Sequence, residues 1–562
     1  MMNVAQYIAQ FLLEKGVHHV FGYQGGATLK LVHEMMETGK IEFIQNYHEQ
    51  ASAFCADAYS RVTGNIGVAL ATSGPGATNF ITGIANANLD SIPTLFITGQ
   101  DYKTNIMNPN GARQNGFQDL DIVSVVKPIT KYAVLVTDAH QIKYELEKAY
   151  WYATSNRPGA VLIDIPIDIQ FANIDPNNLP GYESNSIFSN CTPDLNTNIV
   201  IELIQAAKRP IILVGGGVRL SKAQQEVRQF SEYTNIPVVS TLNGLDLVES
   251  NYGFAGLYGN TAANLAVQNS DLLLVFGARL GQRQVGKFPE KYTKATIVHV
   301  DIDSTELKRV FPNELAVKAD IRAFLREINA QIEGIIPLQK FSHWHKTIRD
   351  WKEKYHINAY LNQNGLDPVR VAEEIMHYIC ADAILVNDVG QNQMWVSQAF
   401  QVRSNQRLLN SVGHGSMGYS LPAAIGSKIA FPDKQVISFT GDGGLQMNIQ
   451  ELMLVGHRQL GIKCIVFNNN TLGMIREVQA RYYDAKYYGS NPKDFGCVDL
   501  RKLAIAYNLG FFSIKNLEDI TCIQPLLVDD RPYIIEVCLD LDSKLTNRYD
   551  ESDCFEKERI ND

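Results

Sequence analysis

Short, nearly continuous runs of β-branched and other apolar residues alternate with helical stretches along the whole chain, and this alternation limits the fold more than any other feature. The runs HHVFGY, VALATS, TLFITG and AVLIDIP form a first group. PIILVGGG, IPVVST, DLLLVFG and TIVHVDID form a second, and AILVND, QVISFTG, KCIVFNN and YIIEVCL a third. A strand that is apolar on both faces belongs in a parallel sheet covered by helices on both sides. Three such groups predict an α/β chain of three doubly wound parallel-sheet domains. The length agrees, since 562 residues at about 150 per domain allow three or four. Polar, Pro- and Asn-rich stretches at 173–198 and 337–363 interrupt the pattern. They place domains at 1–172, 195–335 and 364–542, with 543–562 read as a loose polar tail. No short-period repeat of the solenoid kind is seen.

Composition narrows the functional classes. Lys and Arg number 50 against 59 Asp and Glu, a net charge of −9, so the chain lacks the basic surplus of a general nucleic-acid binder. With 45% apolar and 19% charged residues it is a globular sequence. No apolar run reaches the roughly 18 to 20 residues that cross a bilayer, so no membrane partner is expected. Val4, Ile8, Phe11 and Leu12 recur at helical spacing with no basic leader, which predicts an amphipathic opening helix and a cytoplasmic protein. Cys55, Cys191, Cys380, Cys464, Cys497, Cys522, Cys538 and Cys554 are scattered without a CxxC pair. That is the pattern of buried thiols in a reducing compartment, not of a zinc site.

The segment richest in chemistry runs from Gly441-Asp442-Gly443-Gly444 to Asn469-Asn470-Thr471. It opens where one expected strand ends and closes where the next one ends. Neighbouring parallel strands put their carboxyl ends side by side, at the edge where open α/β sheets bind ligands. The 27 residues from Asp442 to Asn469 therefore bring a carboxylate beside an amide. With one backbone carbonyl these make a hard oxygen site suited to Mg²⁺, which keeps water and takes further ligands from a substrate's phosphates. The glycines let the backbone approach those phosphates. A GDGG alone is more often a plain turn; the amide at this distance sets it apart.

This spacing resembles the diphosphate-binding motif of thiamine-diphosphate enzymes. The resemblance implies that Asp442 and Asn469 ligate Mg²⁺ through side chains and Thr471 through its carbonyl. Glu49, in HEQASAFCADAYSR, matches the glutamate that hydrogen-bonds the cofactor's aminopyrimidine and promotes its deprotonation; from the residues alone it reads as a helix N-terminal charge. TSGPGATN, with Thr72 and Pro75, matches the segment packing the pyrimidine against the other subunit, and Gly26 in VFGYQGGA is a further contact. Met417 and Gly415, in SVGHGSMGYSLPAAIG, match the turn whose large apolar residue bends the cofactor. Val389, Gly390 and Gln391, with Gly441, Gly443, Gly444, Gly473 and Met474, fall on the diphosphate side. The likeness spans almost the whole chain and is closest to the acetolactate synthase large-subunit family. It implies a pyrimidine domain, a central FAD domain and a diphosphate domain, working as a homodimer or tetramer. The expected FAD positions are Arg157, Gly215, Gly216, Gly217, Thr241, Leu242, Gly277, Arg279, Asp301, Asp320 and Ile321. The FAD is expected to be structural, because the implied carboligation transfers no net electrons. The implied substrates are pyruvate and a second carbonyl compound.

Departures from the family cluster near the expected substrate channel. Gln24 replaces a proline, Ile167 a lysine, Val478 a tryptophan and Asn392 a histidine. Leu280-Gly281-Gln282-Arg283 keeps only the arginine of its motif, and Gly256-Leu257-Tyr258-Gly259 alters the flavin-side turn. Phe117 and Gln118 are retained, the first expected against the donor's methyl group and the second beside the intermediate, with Asp119 in place of glutamate. A wider, less cationic channel also suits the family's branch that transfers acetyl units to nucleotide keto-sugars, as in O-antigen sugars. That branch, pyruvate oxidase or decarboxylase chemistry, and a non-catalytic role stand as alternatives to acetolactate synthesis.

Overall fold

The computed structural model describes residues 1–106, 112–183, 195–355, 366–545 and 553–560. Three sheets, each wholly parallel, dominate it, and a two-stranded antiparallel pairing of Met2–Asn3 with Asn173–Ile174 ties the N-terminus to the end of the first domain. The first sheet runs, in spatial order, Glu42–Gln45, His19–Tyr23, Gly67–Ala71, Thr94–Gln100, Ala160–Pro166, Tyr132–Leu135. The third runs Arg407–Asn410, Ile384–Asn387, Val436–Gly441, Ile462–Asn468, Tyr533–Cys538, Gly510–Ile514, so both follow the sequence order 2-1-3-4-6-5. The five-stranded middle sheet runs Val238–Ser240, Pro210–Val214, Leu272–Phe276, Thr296–Asp301, Leu315–Lys318. Each expected strand is present. Their central members are fully buried, as continuous apolar runs require.

The first and third domains share one apolar core. The helix Glu49–Thr63 is built from small residues, and Ala51, Ala53, Cys55, Ala56 and Ala58 are all buried. It lies against Ser420–Ala430, where the Cys55 thiol donates to the Pro422 carbonyl at 3.0 Å. Phe54 meets Tyr419 edge-on, centroids 5.4 Å apart. Small residues on both helices allow this close approach.

Three expectations change. Within the polar stretch 337–363, Ser342–Lys354 is a helix of the middle domain that buries Trp344, Ile348 and Trp351. Its apolar residues recur at spacings of four and three, a narrow helical stripe masked by the surrounding charge. The tail is not loose over 553–560: Phe555 is buried in the same cluster, and Glu558 accepts from Trp351 Nε1 at 2.9 Å and Tyr355 Oη at 2.8 Å. One aromatic and one carboxylate are enough to dock it on that helix. The cysteines are not uniformly buried, since Cys380, shortly after a helix end, and Cys522, within the 3-10 helix Leu517–Ile523, are exposed. Cys191 lies outside the described residues. Among the described residues no helix is long and apolar enough to cross a membrane.

Candidate active site

Most candidate site residues lie at or just beyond the carboxyl end of a strand; Arg157, which precedes Ala160–Pro166, and Phe117 and Gln118, on a loop, do not. On the third sheet Val389, Gly390 and Gln391 follow Ile384–Asn387, and Gly415 and Met417 follow Arg407–Asn410. Asp442, Gly443 and Gly444 open the helix Asp442–Met447 directly after Val436–Gly441. Asn469, Thr471, Gly473 and Met474 follow Ile462–Asn468. Gly441 pairs with Phe467 in the parallel register, so Asp442 and Asn469 leave neighbouring strand ends together.

Asp442 is buried, and its two carboxylate oxygens are separately engaged. Oδ1 accepts from Gly443 N at 2.7 Å, and Oδ2 from Thr471 N at 3.2 Å and the Cys497 thiol at 3.4 Å. Burial raises this carboxyl above its ordinary range, with those hydrogen bonds opposing the rise. Asn469 donates Nδ2 to Gln391 Oε1 at 3.1 Å, which turns its amide oxygen the other way. Met417 borders the same spot, its methyl group 3.4 Å from where a Cβ on Gly443 would stand.

Beneath Met417 lies Asp388, which sequence reasoning missed. Its Oδ1 accepts from Val389 N and Gly418 N at 2.8 and 2.9 Å, and its Oδ2 from Ser420 N and Oγ at 3.0 and 2.9 Å. It knots the Val389 loop to the Met417 turn. The only signal was one acidic residue closing an apolar strand.

On the first sheet, Gly26, Glu49, Thr72 and Pro75 follow three adjoining strands. Glu49 is buried at the first turn of its helix, where a negative charge suits the helix dipole. Its Oε2 accepts from Asn79 Nδ2 at 2.9 Å. Thr72 Oγ1 accepts from Ala27 N at 3.3 Å, and Pro75 begins the short helix Pro75–Asn79. Sequence reasoning also missed Glu451, which grips this end of the helix from the third domain. It accepts from Asn46 Nδ2 at 3.0 Å and Tyr47 N at 2.9 Å. Burial pushes its carboxyl up to about 7. The Glu49 and Asp442 clusters share no hydrogen bond among the described residues. Phe117 is 84% exposed and Val478 41% exposed in the single chain.

A cavity of about 690 Å³ separates the middle domain from the other two. It is lined by Arg157, Gly216, Gly217, Thr241, Leu242, Gly277, Arg279, Asp301, Asp320 and Ile321. Gly215 stands behind this lining. A Cβ there would lie 2.2 Å from the Gly277 carbonyl, so it serves strand–turn packing. Gly277 has φ +62° and passes against Gly217 Cα, a position that admits no side chain. Arg157 reaches across from the first domain to Asp303 at 2.8 Å and Glu306 at 3.0 Å. Among the altered residues, Leu280 and Tyr258 hold positive φ of 50° and 61°, and Leu280 lines the cavity. Asn392 is buried and donates to the Asp388 carbonyl at 2.9 Å.

Comparison with known proteins matches the chain three times in succession. Residues 2–125 match the N-terminal TPP binding domain of thiamine pyrophosphate enzymes, 197–328 the central domain and 388–537 the C-terminal TPP binding domain. The acetolactate synthase large subunit of Lactococcus lactis subsp. lactis (strain IL1403) is 36% identical, over 95% of this chain and 92% of that protein. The large subunit from Cyanidium caldarium is 36% identical, over 94% of this chain and 92% of its own length. The isozyme 3 large subunit of Escherichia coli (strain K12) is 34% identical, over 90% and 89%. A likeness that spans all three sheets, and with them every strand end just described, places this chain in the acetolactate synthase large-subunit family of thiamine pyrophosphate enzymes.

Proposed function

We propose that the protein is an acetolactate synthase that takes the two-carbon unit of pyruvate, with loss of CO₂, and joins it to the carbonyl of a second 2-oxo acid. The observation that carries this reading is the meeting of Asp442 and Asn469 at neighbouring strand ends. The site fits Mg²⁺. Asp442, the Asn469 amide oxygen and the Thr471 carbonyl would hold it, with water and the diphosphate completing the shell. The buried Asp442 carboxyl, raised by desolvation, lacks a counter-charge that such an ion provides. Thiamine diphosphate, when bound, supplies a nucleophilic carbon and an electron sink for decarboxylation.

The residues of the chain position and protect that chemistry. Glu49 has Oε2 held by Asn79, which leaves Oε1 to exchange a proton with the pyrimidine side. Met417 would support the cofactor's bend, and Gln391 with the strand-end glycines would hold its diphosphate. Met417, with Phe117 and Val478 once a second copy covers them, would provide apolar walls that exclude water as carboxylate charge disperses. Gln118 faces the substrate. The cavity against the middle domain is lined by the strand-end glycines Gly216, Gly217 and Gly277 together with Arg157, Asp301 and Asp320, a set that suits the phosphates, ribose and flavin of FAD held in a structural role. Separate Glu49 and Asp442 clusters, and exposed apolar wall residues, support a homodimer with sites completed across the pair, from which a tetramer can form. Free thiols at Cys380 and Cys522 suit the cytoplasm. The relatives, all named acetolactate synthases, do not favour the keto-sugar, oxidase or decarboxylase alternatives.

The test supplies thiamine diphosphate, Mg²⁺ and FAD, then pyruvate alone or with 2-oxobutyrate, and identifies products by mass. Acetolactate and the mixed acetohydroxy acid are expected. Acetaldehyde alone, or acetate with flavin reduction, overturns the reading.

A further inference from the structure

We propose that Asp164 and Gln100 form a positioning pair that holds the Phe117–Gln118 loop in its working place. The inference rests on the reading of Gln118 as substrate-facing. Asp164 lies in Ala160–Pro166, and Gln100 ends the adjacent strand Thr94–Gln100. Both are 2% exposed. Asp164 Oδ1 accepts from Thr98 Oγ1 at 2.7 Å, and Oδ2 from Gln100 Nε2 at 2.9 Å. The same Gln100 nitrogen donates to the Leu120 carbonyl at 2.8 Å, two residues beyond Gln118. Gln100 Oε1 accepts from Asp101 N at 3.0 Å. Asp164 thus fixes which way the amide faces, and the amide pins the loop.

The pinned loop is bent and closely seated. Gln118 has φ +60°, a conformation non-glycine residues rarely hold unless their surroundings impose it. Asp119 Oδ2 closes the loop by accepting from Asn115 N at 3.0 Å and Gly116 N at 2.9 Å. Gly74 receives it: a Cβ there would stand 2.8 Å from the Gln118 carbonyl. Gly74 also caps the helix Pro75–Asn79, whose last residue holds Glu49. The loop therefore rests on the turn that leads to the proton-exchanging carboxyl. A buried carboxylate is a costly way to orient one amide; burial pushes the Asp164 carboxyl up to about 7, so a bond to sheet structure alone gives it no evident return.

The experiment is a double-mutant cycle in the cofactor-loaded protein, with hydrogen exchange as a second readout. Gln100→Met keeps the side chain's length and removes its donors; Asp164→Leu keeps the side chain's size and removes the acceptor that orients the Gln100 amide. Each is expected to raise KM for pyruvate and lower kcat, about tenfold together, with thiamine diphosphate affinity unchanged. In a Gln118→Ala background either change is expected to add less than about twofold. Amide exchange over 116–120 is expected to accelerate in both variants while the sheet strands stay protected. Unchanged exchange there overturns the tether, as do kinetic effects that multiply in full on Gln118→Ala. If exchange accelerates but Gln118→Ala alone is silent, the tether stands and the substrate role of Gln118 falls.

Discussion

Glu49 and Asp442 are both buried carboxyls at the first turn of a helix, yet their surroundings differ in a way that fits the different roles proposed for them. Glu49 has one oxygen tied to Asn79 and the other without such a tether, an arrangement for moving a proton. Asp442 has both oxygens engaged by backbone or thiol donors that fix their direction, an arrangement for holding an ion. Glu49→Gln is expected to slow turnover by between about a hundredfold and ten-thousandfold, with cofactor binding retained. The check is the rate of H/D exchange at the cofactor's acidic carbon, which falls in parallel. Asp442→Ala is expected to abolish the Mg²⁺-dependent part of thiamine diphosphate affinity and spare the Mg²⁺-independent part, read by calorimetry with and without the metal.

The helix Glu49–Thr63 depends on a group from another domain. Glu451 accepts from Asn46 and Tyr47 just before the helix begins, and burial raises its carboxyl to about 7. A folded-state value above the unfolded one means that the native state holds more protons between about pH 4.5 and 7. This group's contribution therefore lowers stability as pH rises through that window, by about 1.4 kcal/mol for each pH unit crossed. Glu451→Gln is expected to flatten that part of the Tm–pH profile relative to the parent. An unchanged difference between pH 5 and pH 7.5 contradicts the assignment. The segment 553–560 offers a second case. Phe555→Ala removes a core aromatic and is expected to cost about 3 to 5 kcal/mol, seen as a lower denaturation midpoint.

The proposed pairing of two chains would complete the working site. Among the described residues, one chain carries both clusters without a hydrogen bond between Glu49 and Asp442 and leaves Phe117, Ile475 and Val478 exposed. If sites form across a pair, inactive Glu49→Gln and inactive Asp442→Ala chains complement each other. Refolded or co-expressed at equal amounts, they are expected to recover about a quarter of parental activity, because half of the dimers are mixed and each mixed dimer keeps one intact site. No recovery above the separate variants places both groups of a site in one chain.

The central strands and the strand-end motifs were legible because both are local: an apolar run reports burial on two faces, and GDGG followed by an asparagine reports two neighbouring strand ends. The strands with weaker signals were Glu42–Gln45, Tyr132–Leu135, Leu315–Lys318, Arg407–Asn410 and Gly510–Ile514, and each lies at a sheet edge. Edge strands face a neighbour on one side only and carry mixed residues. Asp164, Asp388 and Glu451 gave no signal beyond a lone acid in an apolar run. Their meaning comes from partners as far as 405 positions away, such as Asn46 Nδ2 for Glu451. Residue order alone thus determined three parallel sheets and the chemistry at their carboxyl edges. Which buried carboxyl is suited to moving a proton, which to holding an ion and which to orienting a loop was legible only after folding, because hydrogen-bond partners and desolvation are properties of three-dimensional neighbours.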